Sequence, residues 1–154
     1  MDHNTRMLVK QAIDEEQEAT IQKFRTLIQY PFHPDAKFVE LEIRGNGGVF
    51  GVTCTQMDEN YGQLMHNAYG EPDNDLPTFG FYLYSKLDKD RSEIRDDEEL
   101  VEEIDEFAKE YFVSFFQRCF NAADGKKSPI PIYLFYPNSG DSYDLKQEKW
   151  VEME

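Results

Sequence analysis

The residues best placed for proton transfer are Glu40 and Glu42. They stand two apart in the alternating run Phe38-Val39-Glu40-Leu41-Glu42-Ile43-Arg44, so a strand puts both carboxylates on one face. Adjacent carboxylates split their pKa values and share a proton, an arrangement used in acid–base catalysis. Tyr82 and Tyr84 lie in a later strand-like run and are expected beside them. A solvated strand face explains the same pattern with no chemistry at all.

The other reactive side chains do not assemble into a motif. His3, His33 and His66 have no ligand spacing among themselves or with Cys54 and Cys119. Asp73-Asn74-Asp75 has the opening acids of a calcium loop but lacks its glycine and closing glutamate. Gly45-Asn46-Gly47-Gly48 has the composition of a phosphate cradle. A phosphate cradle needs a helix directly after it, and a strand pattern follows instead. Ser139-Gly140 lies in a turn without the context of a nucleophile elbow. The expectation is therefore no catalytic residue, no metal and no cofactor. The two cysteines are expected to be buried free thiols in a reducing compartment.

The strongest signal is electrostatic. Asp96, Asp97, Glu98, Glu99, Glu102, Glu103, Asp105, Glu106 and Glu110 crowd fifteen positions that hold one lysine, Lys109. The apolar residues Leu100, Ile104, Phe107, Ala108, Tyr111 and Phe115 recur among them at helical spacing. The spacing predicts one long helix from Asp96 to Ala123. Asp96 would be its N-cap, Glu99 would complete a capping box, and Gly125 would supply the positive φ that ends it. Glu98, Glu102 and Glu106 would form one exposed line, with Glu99, Glu103 and Glu110 beside it. Past Tyr111 the helix turns apolar on all sides through Phe112, Val113, Phe115, Phe116 and Phe120. Burial between the sheet and a second helix accounts for that. The sharper reading makes Phe116 and Phe120 exposed anchors for a partner.

The rest of the chain must position this helix. A first helix is expected from Thr5 to Tyr30, with Val9, Ile13, Thr20, Phe24 and Leu27 on one face and Gln17 interrupting it. Pro31 and Pro34 end it. Two strands follow, joined through Asn46-Gly47, a strong hairpin signal. Residues 58–77 break all periodicity and form a long loop, the kind of segment that is often functional. A third strand spans Phe79–Tyr84, and Lys86–Arg95 reads as a charged turn. After the long helix come a fourth strand at Pro129–Tyr136, a dense turn at Pro137–Asp141 and a fifth strand at Tyr143–Val151. The order α-β-β-β-α-β-β predicts an α+β domain: an antiparallel sheet of about five strands with two long helices on one face, spanning 1–154 as one domain.

Composition bounds the function. The 154 residues are 40% hydrophobic and 14% aromatic, enough for a real core, and the formal net charge is −15. Such a surface repels nucleic acid and anionic membrane and draws in basic partners. The N-terminal residues lack a signal-peptide pattern, and no apolar run approaches a membrane span, so a cytoplasmic protein is expected. No family is recognised from a motif. In size, charge and layout the chain resembles small intracellular immunity proteins, acidic α+β domains that neutralise a basic toxin domain in bacteria. The expectation is a non-catalytic binding protein that masks a basic protein partner through Glu98, Glu99, Glu102, Glu103, Glu106, Glu110, Phe116 and Phe120. The alternatives are a small-ligand or enzyme domain using the open sheet face and the 58–77 loop, and a homodimer joined through the phenylalanine-rich helix end.

Overall fold

A computed structural model describes residues 1–137 and 139–152. Asn138, within the expected turn at 137–141, lies outside the described residues. The fold is α+β. The sheet is larger than the sequence suggests and it is mixed: among the described residues seven strands lie in the order Gln63–Leu64, Val49–Met57, Phe38–Asn46, Ile132–Phe135, Asp141–Asp144, Lys149–Glu152, with Thr78–Tyr82 also paired to Val49–Met57.

The expected first helix is two: α1, His3–Asp14, and α2, Gln17–Ile28. The break falls among Asp14, Glu15, Glu16 and Glu18, whose mutual repulsion weakens a continuous helix there. The expected apolar face survives the break. Val9, Ile13, Phe24 and Leu27 are wholly buried, and Thr20 nearly so.

Strand β1, Phe38–Asn46, and strand β2, Val49–Met57, form the antiparallel hairpin that Asn46-Gly47 announced. Gly47 and Gly48 have φ of 60° and 80°, as a two-residue turn of this hand requires. Strand β3, Gln63–Leu64, is a short pairing within the expected loop, and β4, Thr78–Tyr82, runs along the tip half of β2. The charged turn contains a short helix, α3 (Arg91–Arg95), capped by Asp90. Asp96 closes α3, so the N-cap of the long helix α4, Glu98–Ala122, is Asp97, whose side chain accepts the Leu100 N–H at 3.1 Å.

At about 1.5 Å per residue, α4 is long enough to cross the whole sheet. Its acidic half lies at the β1–β2 turn, and its far end delivers the chain beside the start of β1. Strand β5, Ile132–Phe135, therefore leaves in the same direction as β1 and pairs with it in parallel, Val39 opposite Ile132. This parallel pair is what makes the sheet mixed. The expected fifth strand is a hairpin of two, β6 (Asp141–Asp144) and β7 (Lys149–Glu152). The long helix ends with Asp124, not Gly125, in the left-handed conformation. Gly125 serves packing instead, because a Cβ there would meet the Phe120 ring at 2.4 Å.

The helices cover one face of the sheet, where Val39, Leu41, Ile43, Phe50, Val52, Phe79, Phe81, Ile132 and Leu134 are buried. Phe112 meets Phe50 and Phe81, with ring centroids 5.4 and 4.9 Å apart. Phe116 meets Phe79 and Phe81, and Phe24 of α2 meets Phe116 and Phe120. Phe116 and Phe120 have no exposed surface. They are core residues, which corrects their expected place as surface anchors and removes them as a contact for a homodimer. Phe107 and Tyr111, members of the apolar stripe with Ile104 and Phe115, are only half-buried and stack on each other facing α1. The Tyr111 hydroxyl donates to Asp14 at 2.6 Å, and Arg118 reaches the same oxygen at 3.0 Å.

Candidate functional site

Among the described residues no helix covers the opposite face of the sheet. Register places Glu40 beside Thr55 and Tyr133, and Glu42 beside Thr53 and Phe135. Glu40 is half-buried, and burial raises its carboxyl above the ordinary value. Glu42 is tied to Arg44. Tyr82 pairs with Val49 at the hairpin end, which is two strands over from Glu42 and displaced from it by four residues, about 13 Å, along the strand direction. Tyr84 lies past the strand and is buried. The expected cluster of Glu40, Glu42, Tyr82 and Tyr84 is therefore not assembled. The tyrosine beside Glu40 is Tyr133, which only the parallel pairing of β5 with β1 brings there.

The 58–77 segment is built from within. Gln56, wholly buried, accepts the His33 N–H at 2.7 Å and donates to the His66 carbonyl at 3.1 Å and to Asp73 at 3.0 Å. Asp75 accepts the Tyr30 hydroxyl at 3.1 Å, and burial with this carboxylate pushes Tyr30 up to about 12. Asn67 accepts the N–H groups of Tyr69 and Glu71. Asp73 and Asp75 thus brace the loop. Among the described residues no three or more His, Cys, Asp or Glu side chains are grouped to hold a metal ion. Burial raises both thiols, Cys119 to about 11, so neither is a ready thiolate.

The carboxylates of α4 divide by direction. Glu98, Glu99, Glu102, Glu106 and Glu110 are exposed, and Glu103 is half-buried against the Met1 amine. Lys109 approaches Glu106 at 3.8 Å. Among the described residues, Glu98, Glu99, Glu102 and Glu110 stand in no ion pair. Asp105 alone turns inward. It is 9% exposed and accepts the N–H groups of Gly47 at 3.0 Å and Gly48 at 3.2 Å, which fastens the β1–β2 turn to the helix.

A groove of about 860 Å³ opens at this junction. The hairpin tip forms one side, Arg91 and Arg95 of α3 another, and Glu98, Val101, Glu102 and Glu106 of α4 a third, with Tyr84 and Asp105 also lining it. Val49 and Tyr82, 45% and 42% exposed, stand as a cross-strand pair at the same end of the sheet. Val49 also lines the groove. The loop residues Tyr61, Met65 and Tyr69 are exposed too, but they lie at the other end of β2. Sequence periodicity showed Val49 and Tyr82 as ordinary strand residues. Their exposure follows from position, because β4 is an edge and no helix covers their face.

No helix among the described residues is long and apolar enough to cross a membrane. No family model, curated protein or solved structure matches the chain.

Proposed function

We propose that the chain is a non-catalytic binding protein that masks a basic protein partner, in the manner of an immunity-type protein neutralising a toxin domain. The observation that carries this reading is the exposed carboxylate ridge of α4, where Glu98, Glu99, Glu102 and Glu110 have no cation among the described residues within ion-pair distance. A rigid helix holds them, so a cationic surface meets a preformed negative field over about 8 Å at physiological salt. Rim charges of this kind set association rate and partner choice more than final affinity. The apolar contribution comes from Val49 and Tyr82 at the same end of the molecule, in place of the buried Phe116 and Phe120.

The test uses a decalysine peptide as a defined cationic probe, followed by capture of partners from the native cell extract. Wild-type protein is expected to bind decalysine in a salt-sensitive manner. Glu98→Lys/Glu102→Lys/Glu106→Lys is expected to keep its circular dichroism and urea midpoint and to lose that binding and the captured basic protein. Retention of both by the folded triple variant refutes the ridge as the binding surface.

A further inference from the structure

The floor of the groove beside the ridge differs chemically from the ridge itself. Tyr84 is 5% exposed, and its hydroxyl, closed to solvent, has no hydrogen-bond partner among the described residues. A buried hydroxyl left unmatched costs stability, so its persistence at a groove asks what pairs with it. Asp105 holds the same glycine. Gly48 donates its N–H to Asp105, while the hydroxyl end of the Tyr84 ring fills the space where a Gly48 Cβ would be, 2.4 Å from Cζ. An ionised carboxylate offers about four acceptor positions, and two backbone N–H groups occupy only part of them.

We propose that Tyr84 and Asp105 form a receptacle for one guanidinium or ammonium side chain presented by the basic partner. This inference rests on the binding role proposed above and adds a single buried anchor to it. Val101 and Val49 both line the groove and suit the aliphatic stem of a lysine or arginine, with the charged head at Asp105 and the Tyr84 oxygen as a further acceptor. Glu98 and Glu102 on the α4 wall guide the same charge inward.

Arg91, Arg95 and Lys109 also line the groove, so a carboxylate or phosphate is the competing occupant. The floor favours the cation. Burial raises the Tyr84 hydroxyl to about 12, and the Asp105 charge acts on it in the same sense and more strongly than Arg91 opposes it. An anion at that depth faces a fixed negative charge at reduced dielectric, whereas a cation is attracted by it.

The probe is N-acetyl-arginine methylamide, with the neutral isostere N-acetyl-citrulline methylamide and N-acetyl-glutamate methylamide as controls. Binding is read from amide shifts of the full chain. The arginine compound is expected to give saturable shifts at Gly47 and Gly48, and the citrulline compound to bind at least about tenfold more weakly, the worth of one charge-assisted hydrogen bond. Tyr84→Phe, which keeps the ring over Gly48, is expected to weaken arginine binding about threefold or more, and to weaken decalysine, which the ridge also holds, by no more than that factor. Glu102→Gln, on the exposed wall, supplies a second variant and is expected to weaken both probes. Equal binding of arginine and citrulline overturns the receptacle, as does tighter binding of the glutamate compound at the same amides. So does a folded Tyr84→Phe that binds arginine as wild type does. Those results leave the ridge reading standing if decalysine still binds. Loss of decalysine binding alone removes the ridge and not the receptacle.

Discussion

Tyr84 and Gly48 are interlocked: the hydroxyl end of the tyrosine ring occupies the place where any larger residue at 48 would put its Cβ. Gly48 also has φ of 80°, while the neighbouring Gly47, at 60°, has open space around its missing Cβ. The pair separates backbone strain from crowding. Gly47→Ala is expected to cost about 1–2 kcal/mol, the strain of a left-handed alanine. Gly48→Ala adds displacement of a buried ring and is expected to cost about 2–5 kcal/mol in all. Urea midpoints of the two variants check the difference, and Gly48→Ala should also disturb the groove amides that Gly47→Ala leaves in place.

The phenylalanines of α4 are ranked by what they touch. Phe112 is wholly buried against Phe50 and Phe81, so Phe112→Ala is expected to cost about 3–5 kcal/mol. Phe107 is half-buried between Tyr111 and Arg6, so Phe107→Ala is expected to cost clearly less, about 1–2 kcal/mol. Equal midpoints for the two alanine variants would show that α1 is packed more tightly on Phe107 than its half-buried position indicates.

Glu40 gives stability a pH dependence of unusual sign. Its carboxyl is raised by burial, so the folded state holds the proton more tightly than the unfolded state does. Above the unfolded value of 4.5 the unfolded chain ionises first, and stability falls as pH rises through the raised folded value. Glu40→Gln removes this penalty. The variant is expected to have a higher urea midpoint than wild type at neutral pH and an unchanged one well below pH 4.5, where both states are protonated. A midpoint difference independent of pH would assign the effect to packing.

Gln56 holds the 58–77 segment to the 30–37 turn with three hydrogen bonds from a fully buried side chain. Gln56→Leu keeps the volume and removes the pairing, leaving the His33 N–H and the His66 carbonyl unmatched. The expected cost is about 2–4 kcal/mol, with faster amide exchange through residues 63–76 than through β1. Unchanged exchange in that segment would show that Asn67 and the Tyr30–Asp75 bond suffice to hold it.

Local pattern was enough wherever a rule acts over a few residues. The alternation at 38–44 and the Asn46-Gly47 turn became the elements they announced, whereas the one helix expected over 5–30 kept its apolar face but divided into α1 and α2. The polar loop did not show itself this way. Its order comes from Gln56 and Tyr30, which lie outside it in sequence and look like ordinary strand and helix residues.

By itself the sequence determined the α+β class, the long acidic helix and the apolar faces, because helix and strand periodicity are read one element at a time. Direction and adjacency were decided only in the folded chain. Where α4 ends fixes β5 as parallel to β1, and that pairing, not any spacing, sets Tyr133 beside Glu40. The same packing decided which carboxylate of the acidic run is different. Asp105 shares its composition with its neighbours, yet it alone meets the β1–β2 turn and is buried, since the face of a helix that becomes interior depends on what is laid against it.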